Sequence, residues 1–221
     1  ILIELTAIKI EQLVNKAVIL FADSTGVTTG IIEERAYQGG KRKTRKDFKL
    51  HILAGYHPDK SLTYLKTALG SDKSVGDAEG ARRMICRIKE MPAYFFADRG
   101  YDAEKVYKAC NKKKLIAVVK RKKHKSKMAS YRSLAKKFFN HNLYKEIRGV
   151  IETIFGGLEN KKLLNTKLKN PKNINKYILA IALHHNIKAL IKAKISHPIK
   201  ELCDKLDHNI KVNNPLYKSF D

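Results

Sequence analysis

No stretch of eighteen or more uncharged apolar residues occurs in this chain of 221 residues, so the sequence predicts no membrane-spanning helix. The opening Ile1-Leu2-Ile3-Glu4-Leu5 has neither a basic start nor a small-residue cleavage site, and no secretory leader is expected there. It also lacks an initiating Met, as a fragment of a longer protein does. Cysteine is scarce: Cys86, Cys110 and Cys203 are scattered, odd in number and form no CxxC pair. That argues against a zinc site or a disulfide framework and for a reduced, cytoplasmic compartment. The largest deficit is in negative charge. Against 46 Lys+Arg stand 21 Asp+Glu, a net charge of +25. Self-repulsion on that scale costs stability unless a polyanion neutralises part of it. Nucleic acid is the polyanion favoured by so basic a domain. A ribosome-associated role or a lysine-biased proteome would give the same composition.

The chain reads as α/β. Residues 1–16 carry Leu2, Leu5, Ile8 and Leu13 at roughly helical spacing and predict a helical lead-in. Ala17 to Ala22 reads as a buried strand that ends at Asp23-Ser24-Thr25-Gly26, and Val27 to Ile32 as a second strand paired through that short turn. Gly39 to Lys46 reads as a basic, glycine-led loop, and Phe48 to Ala54 as a third strand. A helix is expected over 77–89, a strand over 94–97, a helix over 103–112 and a strand over 115–119. Residues 120–142 are basic and lack periodicity; nine of the sixteen residues 112–127 are Lys or Arg and none is acidic, which suits a segment that tracks phosphates. Helices over 143–162 and 171–194 follow, the second announced by Asn170-Pro171. Residues 196–221 read as a loose tail, which leaves 17–195 as one domain. The order β-β-β-α-β-α-β-α is that of a ribonuclease H-like mixed sheet flanked by helices.

Two of these strands end in the same tripeptide, Phe21-Ala22-Asp23 and Phe96-Ala97-Asp98. A carboxylate delivered to the exit of a buried strand is rigid and close to the rim of the sheet. Two such strands side by side would bring like charges together, and a divalent cation relieves that repulsion. Oxygen donors favour Mg²⁺ or Mn²⁺ over softer metals. A third carboxylate, Glu152, lies one helical turn from Arg148 and two from Tyr144 on one stripe. On or near the same stripe lie Gly149 and Gly156, each costing about 1 kcal/mol of helix propensity. A helix that accepts this cost is expected to let the sheet or DNA approach its backbone closely.

Together Asp23-Ser24-Thr25-Gly26, Asp98-Arg99-Gly100-Tyr101 and Tyr144-x3-Arg148-x3-Glu152-x2-Phe155-Gly156 resemble the DDE transposases of bacterial and archaeal insertion sequences, in the IS4/IS5 group. The similarity spans roughly residues 17–190. It implies a ribonuclease H-like catalytic domain with two Mg²⁺ ions, replaceable by Mn²⁺, held by Asp23, Asp98 and Glu152. It implies cleavage and strand transfer at transposon ends, with double-stranded DNA as partner and a homodimer when two ends are synapsed. Tyr144, Arg148 and Arg99 are then expected to position DNA, while Lys41, Arg42, Lys43, Arg45, Lys120, Arg121, Lys122 and Lys123 make sequence-independent backbone contacts. Asp102 is the strongest rival ligand, with Asp47 and Asp77 behind it. His184-His185 is expected to pack and not to bind metal.

The chain departs from the family twice. Glu159 stands seven residues after Glu152, where a lysine is usual, and the 53 residues between Asp98 and Glu152 leave no room for the β-rich insertion some members carry. Two other readings remain open at this point: a different ribonuclease H-like nuclease or resolvase, and an inactive nucleic-acid-binding remnant of a transposase.

Overall fold

The computed structural model describes the backbone of residues 1–15, 17, 19–37, 40–91, 93–122, 130–136, 139, 141–160 and 163–213. It describes their side chains except those of 34–37, 40–45, 130, 134, 136, 143, 151, 157–160 and 195–213. In chain order the elements are α1 (Leu2–Val14), β1 (Ile19–Tyr37), β2 (Gly40–His57), β3 (Leu62–Asp72), α2 (Asp77–Arg87), β4 (Ala93–Ala97), α3 (Glu104–Lys112), β5 (Leu115–Val119), α4 (Ser130–Lys136), α5 (His141–Asn160) and α6 (Pro171–Asn213). The five strands form one sheet in the order β3-β2-β1-β4-β5, antiparallel from β3 to β1 and parallel from β1 to β5. This is the mixed, ribonuclease H-like sheet that the element order predicts. Among the described residues no helix is long and apolar enough to cross a membrane.

Helices cover both faces, so the inner strands are apolar on both sides. Phe21, Leu50, Ile52, Phe96 and Val118 point to the face covered by α5 and α6, where Ile147, Ile154, Ile174 and Ile178 meet them. Leu20, Ala22, Leu53, Phe95 and Ala97 point the other way, onto Met84 and Ile85 of α2 and Val106 of α3. Phe21 and Phe96 are both fully buried. Each contributes roughly 1.5–3 kcal/mol of hydrophobic stabilisation at the point where β1 and β4 pair.

The three-strand meander is real, but its strands differ from the expected ones. Residues 19–37 form a single strand that runs straight through Asp23-Ser24-Thr25-Gly26. The β-branched residues Thr25, Val27, Thr28 and Thr29 sustain extended backbone there, and Gly26 is tolerated because nothing lies within 4 Å of where its Cβ would be. The third strand is β3, which the sequence reading passed over. Its apolar alternation is broken by Lys66 and Thr67, and its register on β2 shifts between Leu53 and Ala54. Gly40 to Lys46 is not a loop but the start of β2. It pairs with β1 out to Tyr37, while β3 reaches only Phe48. The far end of the β1–β2 hairpin is thus a two-stranded arm.

Three helical expectations also change. Helix α1 buries Ile3, Ala7, Ile10 and Val14, leaving Leu2, Leu5 and Ile8 exposed. Both stripes are apolar, and long-range bonds select between them: Asn186 Nδ2 donates to the Ile3 carbonyl at 3.1 Å, and Thr67 Oγ1 to Glu4 Oε1 at 2.7 Å. Within the aperiodic 120–142 segment lies α4, whose first N–H groups donate to Glu104 (Tyr131 N at 3.1 Å, Arg132 N at 3.2 Å). That partner is far away in sequence, so no local signal marked the helix. Finally, α6 continues through Pro198 to Asn213 where a loose tail was expected. Ile199, Leu202, Leu206 and Ile210 keep a helical period beyond the proline. The start of α6 is as expected, with Asn170 Oδ1 accepting from Lys172 N at 2.9 Å. His185 packs on β3 by its Nε2 contact to the Thr63 carbonyl at 3.3 Å.

Pairing between β1 and β4 stops at Phe21. Farther along, the connector between α5 and α6 takes up the vacated edge. Thr28 N donates to the Leu164 carbonyl, Thr166 N to the Thr28 carbonyl and Gly30 N to the Leu168 carbonyl, each at 2.9 Å. The helix carrying Glu152 is thereby tied to the strand carrying Asp23. A Cβ at Gly30 would stand 2.1 Å from the Lys167 carbonyl oxygen, a backbone clash. Gly30→Ala is therefore expected to cost about 1–3 kcal/mol and to expose the Thr28 and Thr166 amides. Thermal unfolding and amide hydrogen exchange check this; unchanged protection at both amides would show that the tether is unimportant.

Candidate active site

The repeated tripeptides lie in register. Phe21 is paired with Phe96 across the parallel β1–β4 ladder, which places Asp23 and Asp98 at equivalent positions two residues on. Beyond that pair the two strands part, so both carboxylates come to one rim. Asp98 leaves β4 at its end, as expected, while Asp23 sits within β1 at the point where β4 falls away. Each is oriented by a backbone donor. Ser24 N donates to Asp23 Oδ1 at 2.8 Å, and Gly100 N donates to Asp98 Oδ1 at 2.7 Å.

Asp23 is half-buried, and burial, aided by the negative charges of Asp98 and Asp77, pushes its carboxyl up to about 6. The Ser24 N–H and the Arg148 guanidinium act in the opposite direction. Asp77, the first residue of α2, shares the site: its Oδ1 accepts from Ser24 Oγ at 2.7 Å and from Lys49 Nζ at 2.8 Å. Burial disfavours its charged form, but these two donors outweigh that and hold the carboxyl below its ordinary range. Tyr101 is buried beside the same groups; burial first, then the charges of Asp23 and Asp77, raise its phenol well above the usual value. It remains a neutral hydroxyl.

Helix α5 brings Arg148 and Tyr144 toward this rim. Arg148 is felt by both Asp23 and Tyr144. Tyr144 is buried, its ring 5.8 Å from that of Phe139, so it is a core side chain whose hydroxyl lies in the field of Arg148, Asp98, Asp23 and Arg99. Arg99 is exposed, in the turn that follows Asp98. Glu152 is exposed as well, and Arg148 Nε holds it at 3.0 Å. Gly149 and Gly156 have nothing within 4 Å of a built Cβ, so the sheet does not approach the α5 backbone at either position.

Oxygen donors on two neighbouring strands, one of them ionised only at a cost, suit a hard divalent cation. Asp23 and Asp98 are the residues that could hold one. Among the described residues, no group of three or more His, Cys, Asp or Glu side chains is close enough to bind a metal ion. Glu152 would have to leave Arg148 to complete such a set.

The rival ligands separate clearly. Asp102, fully buried at its side chain, is taken up by Tyr107 Oη at 2.8 Å, the Lys122 amide at 2.6 Å and the Arg132 guanidinium. It is a structural brace. Asp47 lies on β2 and pairs loosely with Lys73 at 3.6 Å, away from the rim. Of the proposed DNA-contacting residues, Lys120 and Arg121 are half-buried and Lys122 is exposed at the exit of β5. Lys41, Arg42, Lys43 and Arg45 have backbone positions on the arm, while their side chains, and Lys123 altogether, lie outside what the structure describes. Lys49 and Ser24 were not singled out from sequence. Ser24 stood next to a candidate ligand, but nothing local linked either residue to Asp77, 53 and 28 positions away.

The family model described as Transposase DDE domain matches residues 15–187 of this chain. No curated protein and no solved structure matches it. The match takes in the whole sheet and every acidic residue of the rim, and on it the chain belongs to the family of transposase DDE domains.

Proposed function

We infer that this domain cuts DNA at the ends of an insertion sequence of the IS4/IS5 type and joins the freed strand to target DNA. The observation that carries this reading is the alignment of Asp23 and Asp98 on neighbouring parallel strands, each oriented by its own backbone N–H. Asp23, Asp98 and Glu152 would hold two Mg²⁺ ions, with Mn²⁺ able to substitute. When bound, these supply positive charge to the attacking and leaving oxygens of an in-line phosphoryl transfer. The rest is binding and orientation by the chain itself. Glu152 joins the aspartates by giving up Arg148, since an exposed ion pair one turn apart on a helix is weakly held. Arg148, once released, offers its planar fork to a phosphate near the scissile bond. The attacking group is water in cleavage and a DNA 3′-hydroxyl in joining.

Double-stranded DNA as partner is supported by the net charge of +25. The two-stranded arm bearing Lys41, Arg42, Lys43 and Arg45 is of a shape that the major groove admits. Lys120, Arg121 and Lys122 extend the backbone contacts at the exit of β5, Lys123 follows them in sequence, and Arg99 and the Tyr144 hydroxyl border the rim. Synapsis of two ends calls for a homodimer on DNA. Helix α5 supplies a test of how closely DNA approaches. Gly149→Ala is expected to stabilise the fold by about 0.5–1 kcal/mol, because the added methyl meets nothing. If DNA lies against that backbone, affinity falls in the same variant, as a gel-shift titration beside a thermal melt will show.

The decisive assay is nicking of supercoiled plasmid with Mg²⁺ and with EDTA, for the wild type and Asp98→Ala. Activity that needs Mg²⁺ and disappears in the variant is expected; activity that survives either change would defeat the assignment. One observation favours a second reading, a DNA-binding remnant without activity: Glu152 pairs with Arg148 and, among the described residues, completes no three-ligand group with the aspartates. Binding without nicking would establish it. A ribonuclease H-like nuclease or resolvase would nick but fail to join pre-cleaved ends.

A further inference from the structure

Behind the Asp23–Asp98 rim stands a carboxylate whose partners all belong to the site. Asp77 opens α2, and an acid in the first turn of a helix ordinarily serves the helix dipole and faces water. Here one oxygen is turned to the sheet and the other to the turn after β4. Oδ1 accepts from Ser24 Oγ at 2.7 Å and from Lys49 Nζ at 2.8 Å. Oδ2 lies against Gly100, 3.2 Å from where a Cβ would stand, with Asp98 Oδ1 3.0 Å from the same point. Ser24 and Gly100 are the two residues whose N–H groups hold Asp23 Oδ1 and Asp98 Oδ1. One side chain therefore bonds the hydroxyl of the residue that orients Asp23 and lies against the residue that orients Asp98, one on β1 and the other in the turn after β4.

We propose that Asp77 is a positioning residue for DNA cleavage: it braces Ser24 and the Gly100 turn, and through their N–H groups it holds Asp23 and Asp98 in the orientation that receives a divalent cation. The proposal rests on the metal-dependent reading given above. Asp77 is not itself placed as a ligand, because its Oδ1 already has two donors and Lys49 balances its charge. Its effect passes through Ser24 and Gly100, in the way that outer partners orient metal ligands elsewhere.

The test is Mn²⁺ binding to the whole chain, read from the loss of the free-ion paramagnetic resonance signal, with thermal unfolding as a control for folding. Asp77→Ala is expected to weaken Mn²⁺ binding by about 10–100-fold, the ordinary effect of removing an outer partner. Asp77→Asn is expected to recover most of this, to within about threefold of wild type, because its amide oxygen still accepts from Ser24 Oγ. Ser24→Ala should weaken binding by a smaller factor, and the Ser24→Ala/Asp77→Ala double variant should bind no worse than Asp77→Ala, since both changes cut one link. A folded Asp77→Ala protein with wild-type affinity overturns the proposal. So does an Asp77→Asn protein as weak as Asp77→Ala, which would make Asp77 a ligand through its charge. Should Asp77→Ala not fold, Ser24→Ala decides: wild-type affinity in that variant overturns the brace. If Asp23→Ala leaves Mn²⁺ binding intact, the metal-site reading fails and not the brace alone.

Discussion

An Asp23→Asn variant is expected to lose DNA nicking by more than about 100-fold, beyond what outer partners of a metal site usually contribute, and yet to unfold at a higher temperature than the wild type. The two effects have one cause. Folding brings Asp23 into partial burial beside Asp98 and Asp77, which raises its carboxyl from 3.8 to about 6. At neutral pH the folded protein therefore carries an ionised group that the unfolded chain ionises more easily. The difference amounts to roughly 1–3 kcal/mol against the native state. Asparagine keeps the shape and the acceptor for Ser24 N while removing the charge, so the native state is relieved. Sites that store such strain commonly trade stability for function. Mg²⁺ supplies the control: it should raise the melting temperature of the wild type by binding the native state and leave the variant unmoved. A variant that melts below the wild type, or that still gains stability from Mg²⁺, would place Asp23 outside the metal site.

The tripeptide Phe-Ala-Asp was legible in the sequence, though for a reason different from the one first read into it. Only Asp98 lies at a strand end; Asp23 is followed by fourteen more residues of β1. What the repeat marks is register. Phe21 and Phe96 are paired and buried in the same layer, so the residues two positions on come out together. Alternation along a strand is readable from one segment, and the alignment of two parallel segments follows once both are seen to bury the same side chain. The order of elements was legible for the same reason, because each element buries apolar residues at its own period. What escaped was set by distant partners. Helix α4 is capped by Glu104, β3 is fixed by α6 through the Asn186 bridge to Leu65, and Asp77 is turned inward by Ser24 and Lys49. From sequence alone Asp77 is an acid at a helix start and a distant rival ligand, and nothing local points to its bonds with Ser24 and Lys49. Asp102 presents the converse case: four residues beyond Asp98 it looks like a ligand, and only its burial with Arg132 and Tyr107 shows otherwise.

That burial gives Arg132 a large expected effect on stability. The Asp102 side chain is wholly withdrawn from water, and Arg132 supplies a cation to it from α4. Arg132→Ala would take this guanidinium from the carboxylate, which keeps the Lys122 amide and the Tyr107 hydroxyl among its donors. Breaking one side of a buried pair typically costs 3–5 kcal/mol, because a buried charge loses a partner it cannot replace with water. The surviving donors argue for the lower end, about 3 kcal/mol. A double variant, Arg132→Ala/Asp102→Asn, should recover part of that loss, since the amide carries no charge to strand. Urea unfolding of the two variants checks this, and a double variant no more stable than the single one would mean that packing, not charge, is what Arg132 provides. The location matters for function as well. Asp102 holds the Lys122 amide and Glu104 holds the first turn of α4, so two acids just beyond Asp98 grip the chain at 122 and again at 131–132. Arg132→Ala leaves Glu104's hold on the α4 amides in place and cuts a further link, that of the Arg132 side chain to Asp102. If the basic residues from Lys120 onward contact phosphates, DNA affinity should fall by a similar factor for every sequence tested, because such contacts carry no base information.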